Sequence, residues 1–146
     1  MTLELRHPVL LVGEASFAFS AALSRELVKD GIIDAADRSL LASCYQSKEE
    51  VLRLHPQSEE NVRCIRSRDP YHRVLFGVDA TRLETRPEVV AFGAKTILFN
   101  LPHVGGKSDI KKNRRLLRDF FQSCSRLPPF EINQLDGGTH SLSVLI

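Results

Sequence analysis

A chain of 146 residues, 42% hydrophobic and 26% charged, has room for one core and the balance of an ordinary soluble globule. Its formal net charge of +2 is too small to establish a nucleic-acid partner. No apolar run approaches the roughly 20 residues of a membrane helix, and Cys44, Cys64 and Cys124 form no CxxC pair, which excludes zinc-ribbon spacing.

The apolar run at 9–12 reads as a buried strand. It passes at once into Gly13 and Glu14, unlike a secretory leader. An intracellular, soluble protein without a membrane partner is expected, its thiols in a reducing compartment. Residues 16–29 read as a helix with Phe17, Ala21, Leu23, Leu27 and Val28 on its apolar side, stopped by Gly31. Residues 39–45 form a second strand. Ser47 caps the next helix, with Glu50 three residues on as a capping box. Pro56 interrupts that helix and 58–65 resumes it. A third strand covers 73–78, and a short helix or irregular crossover covers 83–92. A fourth strand covers 95–100, and a long helix covers 109–126 with Leu116, Leu117, Phe120 and Phe121 inward. Residues 130–135 are a candidate fifth strand, Gly137-Gly138 a hairpin or loop, and 142–146 a candidate last strand.

Strands alternating with helices imply βαβ units, a parallel sheet and helices on both of its faces. The fold class is α/β, in one domain spanning 1–146. Ligands of such sheets bind just past the carboxyl ends of the strands, so three turns are candidates.

Val12-Gly13-Glu14-Ala15-Ser16-Phe17-Ala18-Phe19-Ser20 follows a strand and opens a helix. A loop there aims N–H groups at an anion or polar cofactor. A dinucleotide fingerprint wants glycine at 13, 15 and 18, and this chain has Ala15 and Ala18. Glu14 repels phosphate but suits the ammonium or sulfonium of S-adenosylmethionine. A plain strand-to-helix turn accounts for the loop equally well.

In Gly77-Val78-Asp79-Ala80-Thr81, Asp79 can accept from an exocyclic adenine amine, or serve as a turn or cap aspartate. In Phe99-Asn100-Leu101-Pro102-His103-Val104-Gly105-Gly106-Lys107, Pro102 fixes φ and extends Leu101, and the two glycines allow a sharp bend. The flat Asn-Leu-Pro-His edge suits a planar base and is similar to the Asn-Pro-Pro-type turn of many methyltransferases. His103 is a base, a donor or a surface imidazole. Lys107, Lys111, Lys112, Arg114, Arg115 and Arg118 crowd into 12 residues, as a solvated helix face does. His7, His55, His72 and His140 lack ligand spacing and read as structural or surface residues.

Taken in order, these blocks, with Asn113, Leu116-Leu117 and Phe120-Phe121, resemble the Rossmann-like domain of the 25S rRNA (uridine-N3)-methyltransferase family. The resemblance runs from about Val9 to Ile132. Ala42-Ser43-Cys44 with Gln46, and Phe120-Phe121-Gln122-Ser123-Cys124, are closer to its animal branch, which includes the ferredoxin-fold anticodon-binding domain-containing protein. It implies a class I methyltransferase sheet, S-adenosylmethionine as cofactor, rRNA as partner and a nucleolar, nuclear or cytoplasmic location. On the resemblance, Gly13, Glu14, Ala15 and Ser16 lie against the methionine part of the donor. Gln46 stands where an acidic residue grips the ribose, and Asp79 and Ala80 lie near the adenine. Asn100, Pro102 and His103 face the uridine. Lys107, Lys111, Lys112, Arg114 and Arg115 meet RNA phosphates, which position without reading sequence.

The chain departs from the family pattern at Ala15, Ser16 and Ala18, where the pattern has Gly, Asp and Ser, and at neutral Gln46. Its tail from Pro128-Pro129 onward matches poorly, so the last strands are expected to be shortened or altered. The alternative expectation is therefore a domain of the same fold with impaired catalysis, binding RNA or a protein partner.

Overall fold

The computed structural model describes residues 5–29, 39–68, 71–100, 110–128 and 143–145. Five strands, β1 (Val9–Val12), β2 (Leu40–Ser43), β3 (His72–Leu75), β4 (Thr96–Phe99) and β5 (Ser143–Leu145), form one sheet in the order β3-β2-β1-β4-β5. Every pairing is parallel, with Val9 in register with Leu40 on one side and Thr96 on the other. The helices are α1 (Ala18–Lys29), α2 (Lys48–Leu54), α3 (Ser58–Arg66), α4 (Pro87–Phe92) and α5 (Ile110–Ser125), and a 3-10 turn spans Leu83–Thr85. This is the Rossmann-like α/β architecture.

The inner strands are buried at every position, and apolar at all but Ser43 and Thr96, because both faces of the sheet are covered. Successive side chains point to opposite faces, and the core divides accordingly. Leu10, Val12, Leu41, Ile97 and Phe99 pack with Leu83, Val89, Phe120 and Cys124. Val9, Leu11, Leu40, Ala42 and Leu98 pack on the other face with Phe17, Ala21, Val51, Val62 and Ile65.

The chain lays down β1, β2 and β3 outward in one direction, then returns to place β4 on the far side of β1. That reversal makes the carboxyl end of β1 and β4 a topological switch point, the place where ligands of open α/β sheets bind.

Local signals explain most boundaries. Ser47 Oγ accepts from the Glu50 amide at 3.3 Å and caps α2. Pro56 separates α2 from α3. Pro87 opens α4, and Gly93, at φ +65°, closes it.

Several expectations shift. The first helix starts at Ala18 rather than 16, because Phe17 takes φ +63° and holds the chain outside the helix. The third strand spans His72–Leu75 rather than 73–78. Gly77 turns at φ +69°, and the amides of Gly77 and Val78 leave the ladder for the carbonyls of Gln46 and Cys44. Phe121 is exposed, since α5 turns Phe120, Ser123 and Cys124 to the core and leaves position 121 about 100° away. The last strand spans Ser143–Leu145 within the expected 142–146, whereas 130–135 lies outside the described residues.

Candidate functional site

The switch point is built from a glycine against a ring. Gly13 follows β1 at φ +70°, and a Cβ there would sit 2.3 Å from Phe99 Cε1. Only hydrogen fits, and only glycine takes this backbone at no steric cost. Phe99 cannot yield easily, because its ring stands edge-on to Phe120 with centroids 4.9 Å apart.

Glu14 comes next. Its amide donates to the Ser43 carbonyl at 3.0 Å, tying the exits of β1 and β2 together. Ser43 returns the tie, its hydroxyl donating to the Leu11 carbonyl at 2.7 Å. The Glu14 side chain is buried, at 7% exposure. Burial pushes its carboxyl above the usual carboxylate range, and the Ser20 hydroxyl and amide at the start of α1 partly offset this. A buried carboxyl at the carboxyl rim of the sheet, once ionised, suits a cationic ligand.

Residues 15–17 complete the loop. Ala15 is exposed and Ser16 half-buried, while Phe17 is fully buried despite its left-handed backbone. Such a conformation costs about 1–3 kcal/mol and persists where the surroundings over-determine it. Here the Phe17 ring packs edge-on to Phe76, centroids 5.6 Å apart. From α3, the Asn61 side-chain amide donates to the Ser16 carbonyl at 3.0 Å.

Beyond β2, the Cys44 thiol is buried and pushed up to about 11, chiefly by burial, with the nearby Glu14 charge adding to the effect. It donates to the Gln46 carbonyl at 3.3 Å, which also accepts from the Gly77 amide at 3.0 Å. The loop after β3 is thus stitched over the end of β2, and Gln46 is half-buried at that seam. Asp79 is also half-buried. Its Oδ1 accepts from the Thr81 amide at 2.9 Å and the Thr81 hydroxyl at 2.6 Å, which is the turn role foreseen for it. Ala80 beside it is buried.

Asn100 follows β4 directly and is half-buried. Pro102, His103 and Lys107 lie outside the described residues. Gly13, Glu14, Ala15, Ser16, Gln46, Asp79, Ala80 and Asn100 all follow carboxyl ends of strands in one parallel sheet, so they share its rim. Lys111, Lys112, Arg114, Arg115 and Arg118 are exposed on α5. That helix is anchored by Ser123, whose hydroxyl accepts from the Leu83 amide at 2.7 Å and meets Glu84 at 3.2 Å. Among the described residues no cluster could hold a metal ion, and no helix is long and apolar enough to cross a membrane.

A family model described as rRNA (uridine-N3-)-methyltransferase BTM5-like matches residues 10–133. The chain belongs to this BMT5-like family. It is 41% identical over 117 residues to Ferredoxin-fold anticodon-binding domain-containing protein 1 of Homo sapiens, a match covering 80% of this chain and 17% of the relative. The Mus musculus homolog is 38% identical over 119 residues, with the same coverage. Heavy metal-associated isoprenylated plant protein 41 of Arabidopsis thaliana is 31% identical over 127 residues, covering 83% of this chain and 23% of the relative. The chain thus spans less than a quarter of these relatives. No solved structure matches it.

Three residues that shape the BMT5-like rim escape sequence reasoning. Ser43 reads as one more strand residue, Phe17 as one more apolar helix residue and Asn61 as helix surface. Each acts through a contact distant in sequence or through a backbone angle, and neither leaves a local signal.

Proposed function

We propose that this chain is the catalytic domain of an S-adenosylmethionine-dependent RNA methyltransferase acting on uridine N3 of rRNA. The observation that carries the reading is the buried Glu14 carboxylate at the switch point of a BMT5-like sheet. Phosphate cofactors are disfavoured there, while an ammonium or sulfonium gains a partner for a charge already taken out of water. When bound, the donor supplies an electrophilic methyl group. Gly13 gives the backbone its close approach, Glu14 holds the cationic end, and Gln46 and Asp79 serve the ribose and adenine.

Uridine N3 becomes nucleophilic as its proton leaves. Asn100 holds a uracil carbonyl, and His103 takes that proton. Because pairing hides N3, the target uridine is unpaired or flipped out. The exposed cations of α5 hold RNA phosphates and set its register without reading sequence.

A second reading, a module of the same fold that binds RNA or protein without catalysis, is favoured by Ala15, Ser16 and the neutral Gln46. Calorimetry with S-adenosylmethionine separates the two. Saturable binding supports the enzyme, and no heat at millimolar donor supports the module. In a binding-competent protein, Asn100→Ala is expected to abolish methyl transfer to a uridine-containing RNA with donor affinity intact. Unchanged turnover removes Asn100 from the mechanism.

A further inference from the structure

We infer that Asn61, on α3 and outside the rim, is a positioning residue that locks the donor loop. The inference rests on the methyltransferase reading above and assigns a role to a helix that carries none of the residues proposed to meet RNA. The loop at 13–17 lies between two left-handed residues, Gly13 at φ +70° and Phe17 at φ +63°. Glycine takes that backbone freely, whereas a bulky aromatic residue does not. Without outside support, Phe17 would relax to a negative φ and swing Ala15 and Ser16 with it.

The outside support comes largely from α3. The Asn61 side-chain amide donates to the Ser16 carbonyl at 3.0 Å, across 45 residues of sequence. Arg66, one and a half turns further along α3, lies 5.9 Å from the centroid of Phe76, the ring that meets Phe17. One helix therefore fixes the carbonyl before Phe17 and backs the aromatic contact beyond it. Glu14 is held separately, its amide on Ser43. The two ends of the loop have independent anchors, and Asn61 provides the only side-chain hydrogen bond recorded to the loop's backbone among the described residues.

This division has a functional consequence. Donor binding needs the loop amides aimed at the crevice before the ligand arrives, and a loop that samples other shapes binds in proportion to its competent fraction. Asn61 raises that fraction. It contributes little to the fold, because the Ser16 carbonyl is only half-buried and water replaces the lost donor.

The test titrates S-adenosylmethionine into the full chain and into Asn61→Ala and Asn61→Asp, alongside melting temperature and amide hydrogen exchange. Asn61→Ala is expected to bind about fivefold more weakly, the value of one hydrogen bond. Asn61→Asp is expected to bind more weakly still, since a carboxylate presents an acceptor to the Ser16 oxygen. In both, amides at 15–17 exchange faster while strand amides, the Glu14 amide and the melting temperature hold. Wild-type affinity and unchanged loop exchange in both variants overturn the inference. So does an affinity loss that merely follows a falling melting temperature. If the unmutated chain binds no donor, the methyltransferase reading fails instead. Hydrogen exchange then decides the lock alone, and equal loop exchange in all three proteins overturns it.

Discussion

Glu14 concentrates the conflict between stability and function. Its carboxyl is raised above its ordinary value of 4.5 because burial strips water from the charged form. The folded state therefore holds the proton more tightly than the unfolded chain does. As pH rises from 4.5 through the raised value, the unfolded chain ionises first, and the contribution of Glu14 to stability declines. Glu14→Gln keeps the shape and removes the charge. It is expected to melt at or above the wild-type temperature at pH 7, with any advantage vanishing below about pH 4.5. The same variant is expected to lose about 10- to 100-fold in S-adenosylmethionine affinity, the worth of a charge-assisted contact. Wild-type affinity is expected to grow with pH through the raised carboxyl value, while the variant stays flat. Melting and calorimetry across pH check both. Equal affinity in the two proteins would take Glu14 out of the donor site.

The strands show which parts of the architecture are legible and which are not. Val9–Val12 and Thr96–Phe99 stand out as compact apolar runs because both faces of a parallel sheet are buried. Ser47 and Pro56 mark helix ends because their chemistry acts within a few residues. Phe17 and Asn61 give no such signal. An aromatic residue has no local preference for positive φ, and an asparagine on a helix does not declare a partner 45 positions away. Phe121 reads as core because it follows Phe120, yet a helix turns adjacent residues by about 100°. Gly13 is the intermediate case. Its place after β1 suggests a turn, but the need for glycine comes from the Phe99 ring, an element the sequence alone does not bring near. Gly13→Ala is expected to destabilise by at least about 1–2 kcal/mol from the left-handed backbone, with more from displacing Phe99. Its thermal unfolding should show a clear drop. A melting temperature within a degree of wild type would mean the two strand exits are not locked at this contact.

Over the whole molecule, the small net charge conceals a run of exposed cations on α5. α5 joins parallel strands β4 and β5, so it returns the chain from the carboxyl rim towards the opposite edge of the sheet. Phe120 meets Phe99, the last residue of β4. The helical turns before Phe120 therefore run outward from the level of the rim, and Lys111, Lys112, Arg114 and Arg115 stand on them, all exposed. The switch point and the cations then face the same side of the sheet, as the proposed function requires. Each phosphate contact on single-stranded RNA adds about 0.7 to the slope of log affinity against log salt. Reversing Lys111, Arg114 and Arg115 to Glu is expected to reduce that slope by about 2 or more for an oligouridine strand. Affinity for S-adenosylmethionine should be unchanged, because these side chains are exposed on α5 and carry none of the proposed donor contacts. Fluorescence anisotropy at several salt concentrations gives the slope, and calorimetry gives the donor affinity. An unaltered slope would make the basic helix a solvated face and send the search for the RNA path to another surface of the rim. A simultaneous loss of donor binding would mean that α5 and the crevice are coupled through Phe120 and Phe99, the contact that joins them.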